Sequence, residues 1–432
     1  MASPPPPRLI RTIGLPGLTA IAVNGVIGSG IFVLPATVAA LLGPSSPVAY
    51  LLAAVVAALV VACFAEAGSL FDRTGGPYLY ARAAFGPFVA FQVGWAFFLS
   101  RLAAAAAIAN AFASYLAYLW PAAARGAGRA LAITVLLAVL AAVNVTGVRY
   151  GGWTVNVLTV AKLIPLLLFI SVGLLHADPG RSALLLLPDS GRLRQASLLL
   201  IFAFGGFENA AVPGDESKDP RRHLPVALLT AIALTAVLYV LIQIVALGTL
   251  PGLASDPTPL ASAARTFLGP AGALAIALGA TVSTAGSSSA LALVGPRILY
   301  ALAEGGQLPA ALARVHARFR TPHVAIVVFT LLAWTAALLG DFARLAAMSA
   351  VARLVFSAVT CLAVPVLRRK MPGAERHFRV PGGVLVPGAA AGLSVWLLTG
   401  LDPPHAAVGA AALVAGLLLY LALGRVRYNR PT

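Results

Sequence analysis

The chain has 432 residues, 60% of them hydrophobic and only 10% charged, with a mean hydropathy of +0.93 and a formal net charge of +17. A soluble core of that length could not bury so much apolar surface, so an ordinary water-soluble domain is excluded and a lipid bilayer is the implied solvent. The positive charge would suit nucleic acid, but no basic run reaches a folded soluble module, and nucleic-acid binding is excluded too.

The N-terminal "MASPPPPRLIRTIG", residues 1–14, reads as an uncleaved cytoplasmic tail, because the apolar run after it is long enough to span. Twelve apolar stretches of roughly 20 residues or more follow, each able to cross a hydrocarbon core as a helix. They cover 15–42, 47–71, 86–120, 127–147, 152–175, 196–213, 224–250, 268–302, 322–340, 342–366, 384–400 and 404–424, and a second cytoplasmic tail follows at 425–432. Most are bounded by Pro, Gly or charge, and the first ends in the turn signal Gly43-Pro44-Ser45-Ser46-Pro47. The fold class is therefore an all-α polytopic membrane protein with 12 transmembrane helices. With both termini in the cytoplasm, roughly 20 of the 30 Lys and Arg fall on the inner side, as the positive-inside rule requires. A bacterial inner membrane is the expected location. The clusters Lys218, Arg221, Arg222 and Arg368, Arg369, Lys370 read as orientation signals that touch anionic lipid headgroups. Between spans eight and nine, Leu308, Leu312, Val315 and Phe319 recur at helical spacing with Arg314 and Arg318 between them. That pattern suits an amphipathic helix on the cytoplasmic surface, with a solvated loop as the alternative.

Cys63 and Cys361 both sit in apolar spans and indicate neither a disulfide nor a metal. The six histidines, His176, His223, His316, His323, His377 and His405, fall in predicted loops or at span ends, which argues against a zinc site or a histidine relay at depth. No cofactor is expected.

The first span carries "NGVIGSGIFVLPA", Asn24 to Ala36, with three glycines and a serine in its first seven positions. A glycine costs a helix about 1 kcal/mol relative to alanine, and a broken backbone in hydrocarbon strands polar groups unless protein or water satisfies them. Close packing through Gly25, Gly28 and Ser29 is one reason for them. A nucleotide-binding loop is not, since the strand, the third glycine and the acidic partner are missing. The sixth span is interrupted at the corresponding point, "LLLIFAFGGFENAAVPG", by Gly205-Gly206 ahead of Phe207 and the acid Glu208. Spans one to five (15–175) and six to ten (196–366) then form two five-helix units, the odd number inverting the second, with 384–424 as two further helices. Interrupted helices at matching points of inverted repeats mark the central site of a transporter. The N–H groups of Gly28, Ser29 and Gly30 would open the half-helix that begins near Ile31 and suit a carboxylate. Carbonyls near Val26 and Ile27, with those from Phe202 through Ala203 and Phe204 to Gly205 beside Gly206, would suit an ammonium. Together they describe an α-amino acid.

"GVIGSGIF" in span one, "FAFGGFE" in span six, "GGPYLYARAAFG" after span two and "PRILYALAEGGQLP" after span eight resemble, in this order, the amino acid, polyamine and organocation permeases. The resemblance covers roughly residues 14 to 424. It implies twelve helices with a five-plus-five inverted repeat, discontinuous helices 1 and 6, two peripheral helices and alternating access. It also implies that Gly28, Ser29 and Gly30 receive the substrate carboxylate, that the carbonyls of Val26, Phe202 and Gly205 take its amino group, and that Phe202 or Phe207 covers it.

Of the ionisable residues within these spans, five stand out, because burial there is costly and function is the default reading. Lys162 lies midway along span five. The resemblance places its ammonium where sodium-coupled relatives of this architecture hold a sodium ion, with a proton carrier and a fixed strut on span one carbonyls as further readings. Glu208 reads either as a coupling residue or as a cap of the second half-helix. Glu66 reads as part of an inner gate or an ion pair. Arg101 and Arg353 pair with a glutamate, bond to carbonyls, line the aqueous route or meet an anionic substrate side chain. Phe202, Phe204 and Phe207 beside glycines suggest a modest apolar pocket. The expected function is therefore sodium-independent secondary amino acid transport, coupled to protons or to a counter-transported amino acid, for small or hydrophobic neutral substrates. Acidic or cationic amino acids or polyamines are the alternative. A multispanning enzyme is disfavoured: the hydroxyls of "TVSTAGSSSA" lack a histidine at depth, and Asp215, Glu216 and Asp219 form only a short loop cluster.

Overall fold

The computed structural model describes residues 14–71, 76–147, 152–182, 186, 188–208, 220–401 and 403–423. Both tails beyond them, Lys218, Asp215, Glu216, Asp219 and the part of span six after Glu208 lie outside the described residues. Among the described residues regular structure is helical throughout: α1 (Leu15–Val26), α2 (Gly30–Leu42), α3 (Ser46–Ser69), α4 (Gly76–Phe85), α5 (Pro87–Leu116), α6 (Gly126–Thr146), α7 (Gly152–His176), α8 (Ser190–Ala203), α9 (Pro220–Thr249), α10 (Pro259–Glu304), α11 (His323–Leu339), α12 (Phe342–Lys370), α13 (Leu385–Leu398) and α14 (Pro403–Leu423). Helix occupies some part of each of the twelve apolar stretches. Six segments are long and apolar enough by themselves to cross a membrane: Gly30–Ser69, Pro87–Leu116, Gly126–Thr146, Arg222–Thr249, Pro259–Glu304 and Phe342–Lys370.

Solvent preference is inverted relative to a soluble protein. On α6, Leu131, Val135 and Val139 sit four residues apart on one exposed face, while Ile133, Leu136 and Leu140 turn inward. An outward apolar stripe of this kind matches lipid tails. The interior is built instead from small residues. In α5 the run Ala103 to Ala107 is buried, together with Ala109, Ala111 and Ala113, and that smooth surface lets α10 and α12 pack close. α14 lies outside, hung on α5 by the Trp95 indole N–H, which donates to the Ala412 carbonyl at 2.8 Å.

Two expectations need correction. Residues 303–320 do not form an amphipathic helix: α10 stops at Glu304, Gly305-Gly306 turns the chain, and Ala310–Ala313 is a single 3-10 turn. Pro309 and a return at Arg320 (φ 57°) break the winding that the apolar spacing suggested. Arg368 is not free for headgroups either, whereas Lys370 stays exposed. Arg368 binds Glu66 with Nε and Nη2 at 2.7 and 2.6 Å, and Lys370 donates to the Ala84 carbonyl at 2.8 Å.

Candidate functional site

The winding stops at Val26 and resumes at Gly30. Ile27 leaves the helix with ψ 85°, and the Gly28 N–H turns back to the Val26 carbonyl at 2.8 Å. Ser29 caps α2 without a side-chain bond, and its hydroxyl is buried with no partner among the described residues. The other interruption follows Ala203. There the Phe204 and Gly205 N–H groups close the last turn, and Gly206 takes φ 108°, a conformation glycine reaches without strain.

Glycine also lets the two breaks touch. A Cβ at Gly30 would lie 2.7 Å from the Ala203 Cα, and one at Gly206 would collide with the Gly25 carbonyl. Close packing and interruption are thus both present at these glycines, and neither displaces the other.

The orphaned carbonyls have specific partners. Lys162 on α7 donates to the Asn24 carbonyl at 3.1 Å and to that of Ile27 at 2.8 Å. The Tyr239 hydroxyl on α9 lies 3.0 Å from the Val26 carbonyl and 3.3 Å from that of Ala203, bridging both broken helices. Val26 O therefore meets the Tyr239 hydroxyl and the Gly28 N–H, and the Phe202 carbonyl accepts from the Gly205 N–H at 3.2 Å, which leaves the Gly205 carbonyl and the Asn24 side chain as the freer acceptors around the hollow among the described residues. The Asn24 Oδ1 is buried without a partner among the described residues.

Between the breaks lies a cavity of about 170 Å³. Of the residues singled out in the sequence, Val26, Gly28, Ser29, Gly30, Phe202, Ala203, Gly205, Gly206, Arg101 and Arg353 line it. Ile27, Phe204 and Phe207 do not. Ile27 gives its carbonyl to Lys162, Phe204 packs on Tyr239 at 5.2 Å, and Phe207 stands edge-on to Phe64 at 5.3 Å. The three-phenylalanine pocket thus reduces to Phe202. Asn24 and Ser287 complete the polar lining.

Charge gathers on one wall. Arg101 from α5 donates through Nη2 to Glu208 Oε1 at 2.9 Å, and Arg353 from α12 donates through Nη1 to the same oxygen. The other oxygen, Oε2, accepts from the Gly206 N–H at 2.8 Å. The Arg353 guanidinium lies directly against Gly205, where any Cβ would overlap it. Glu66 lies apart: with Arg368 and the Val380 N–H it ties α3, the end of α12 and the segment leading to α13 together. Among the described residues no three His, Cys, Asp or Glu side chains converge in a way that could hold a metal ion.

A family model described as "Amino acid permease" matches residues 13–422 of this chain. The chain belongs to the amino acid permease family. The permease is 31% identical to the methylthioribose transporter of Bacillus subtilis over 410 residues, 91% of this chain and 89% of that protein. It is 26% identical to a branched-chain amino acid permease of the same organism, with 96% and 94% of the two chains covered. A serine/threonine exchanger, also from Bacillus subtilis, is 30% identical, with 86% and 87% covered. The permease is a multi-pass membrane protein, and these relatives are named as permeases and transporters, not enzymes.

Sequence reasoning missed Tyr239 and Asn24 as site residues. Tyr239 carried a signal, a lone hydroxyl in the apolar run "AVLYVLIQ", but nothing in the spacing shows that it faces two carbonyls.

Proposed function

We propose that the permease is a sodium-independent secondary transporter of a small amino acid, working by alternating access about the two broken helices. It would have twelve spans, two inverted five-helix repeats, and both termini on the cytoplasmic side. The α-carboxylate sits on the N–H groups of Gly28, Ser29 and Gly30 at the positive end of α2. The ammonium sits on carbonyls of Phe202 and Gly205, with Asn24 Oδ1 beside them. The observation that carries this reading is Lys162. Its ammonium is held by the carbonyls that the α1 break leaves open, so a fixed positive charge serves where a loose cation would otherwise be bound.

Size and charge limit the substrate. A hollow of about 170 Å³ is small beside the roughly 300–1,000 Å³ that drug-sized ligands occupy, which suits a ligand the size of a single amino acid. Arg101 and Arg353 in the wall repel cationic side chains. Hydrophobic substrates lose support once Phe204 and Phe207 are seen to pack elsewhere. Coupling uses a proton or a counter-transported amino acid, with Lys162 and Glu208 as the candidate coupling residues.

The test is reconstitution in liposomes with labelled amino acids, varying sodium, pH gradient and internal counter-substrate. Flux without sodium that responds to pH or to internal amino acid is expected. A strict sodium requirement would refute the role given to Lys162.

A further inference from the structure

We infer that Arg101 and Arg353 receive a second anionic group of the substrate, so that the transported class is acidic amino acids. This rests on the transport reading above and names the substrate for the same cavity. Glu208 offers only one oxygen, Oε1, to both guanidinium groups, because Oε2 is taken by the Gly206 N–H. Two cations against one carboxylate leave a surplus of one positive charge. All three side chains are at most 5% exposed.

Among the described residues nothing nearby removes the surplus. Arginine does not shed its proton, so the charge cannot be titrated away. Glu66 cannot help, since Arg368 and the Val380 N–H occupy both of its oxygens. The Phe97 ring, 4.7 Å from the Arg101 guanidinium carbon, shields that cation without neutralising it. Lys162 adds another positive charge at the α1 break. Both arginines line the cavity, and the Nε of each is buried without a hydrogen-bond partner among the described residues. An unpaired charge at membrane depth is expensive, and a site that keeps one is built for a ligand that cancels it.

A neutral zwitterion enters with no net charge and leaves the surplus in place. An acidic amino acid carries one net negative charge and offsets the surplus at the arginine pair. The position fits as well: the Arg353 guanidinium sits on Gly205 at the span-six break, in the cavity that holds Gly28 to Gly30, so one ligand can reach both ends. The guanidinium fork matches a carboxylate in shape. A free inorganic anion such as chloride shares this chemistry, and the experiment separates the two.

The purified permease is titrated with L-aspartate, L-glutamate, L-alanine, L-serine and L-leucine, in chloride and in gluconate. Ligand-induced thermal stabilisation is read together with flux in liposomes. Acidic amino acids are expected to act at concentrations at least tenfold lower than neutral ones, in either salt. Tighter binding of neutral amino acids would overturn the inference and leave the transport reading standing, and so would a neutral flux that requires chloride. No response to any amino acid would overturn both. Arg101→Gln and Arg353→Gln should each lower the acidic-to-neutral affinity ratio at least tenfold, and Arg353→Lys should recover part of it. An unmoved ratio refutes the assignment. If the glutamine variants fail to fold, the unaltered protein's titration series still decides.

Discussion

Tyr239 joins the two interrupted helices by their ends, through one hydroxyl facing the Val26 and Ala203 carbonyls. Tyr239→Phe keeps the ring packing on Phe204 and removes only that hydroxyl. The cost should be about 1–3 kcal/mol, that of leaving a buried acceptor unsatisfied, seen as a lower melting temperature together with weaker substrate binding. Unchanged melting and binding would mean that water replaces the hydroxyl. Lys162→Ala exposes the Asn24 and Ile27 carbonyls in the same way. It should slow turnover and remove the response of flux to pH, with the protein still extractable and folded; a full pH response would return Lys162 to a structural strut. The special status of Lys162 was legible in the sequence, because an ionisable residue in a span is conspicuous, whereas Tyr239 was not, because a tyrosine in an apolar run is ordinary until its partner is known. The pairing of Arg101 and Arg353 with Glu208 lay between these cases. Their burial was readable from the spans, but the sharing of one carboxylate oxygen is a fact of three-dimensional proximity.

At the scale of elements, the two broken helices fit by absence of side chain. Gly30 meets the Ala203 backbone and Gly206 the Gly25 carbonyl, so Gly30→Ala forces α2 and α8 apart. A loss of about 1–3 kcal/mol is expected, the usual penalty of overpacking, measurable as a reduced melting temperature in detergent. Gly28 differs, since its Cβ would meet Ser287 Oγ at 3.6 Å and Val26 O at 4.0 Å, both ordinary contacts. Gly28→Leu should therefore fold normally and abolish substrate binding by filling the hollow. Normal affinity in that variant would place the ligand elsewhere. The breaks themselves were legible because glycine clusters weaken winding, and they occur inside two apolar runs that must otherwise satisfy their backbone by winding. The segment 303–320 stayed open between a surface helix and a loop, because its apolar spacing suits a helix while Gly305-Gly306 and Pro309 stop one locally. Glu66 with Arg368 was half readable: an ion pair was expected, but a partner 302 positions away on α12 was not.

The whole molecule follows from one solvent choice. Leu131, Val135 and Val139 face outward on α6 while alanines fill the centre of α5, so stability rests on close backbone packing and not on apolar side chains shed from water. The approximate limits of the helices were readable because a bilayer demands about 20 apolar residues each time, while the angles between helices were not, because small-residue surfaces leave no distinctive pattern. The positive-inside distribution predicts that cysteines introduced near residues 5 and 428 react with membrane-impermeant maleimide only from the cytoplasmic face. Labelling from opposite faces would mean an odd number of spans. The most direct test is an experimental structure with an amino acid bound, solved in sodium-free buffer. The α-carboxylate should lie within hydrogen-bond distance of the Gly28, Ser29 and Gly30 amides, with Lys162 still on the Asn24 and Ile27 carbonyls. Continuous helices through both glycine clusters, or a substrate seated away from them, would contradict it.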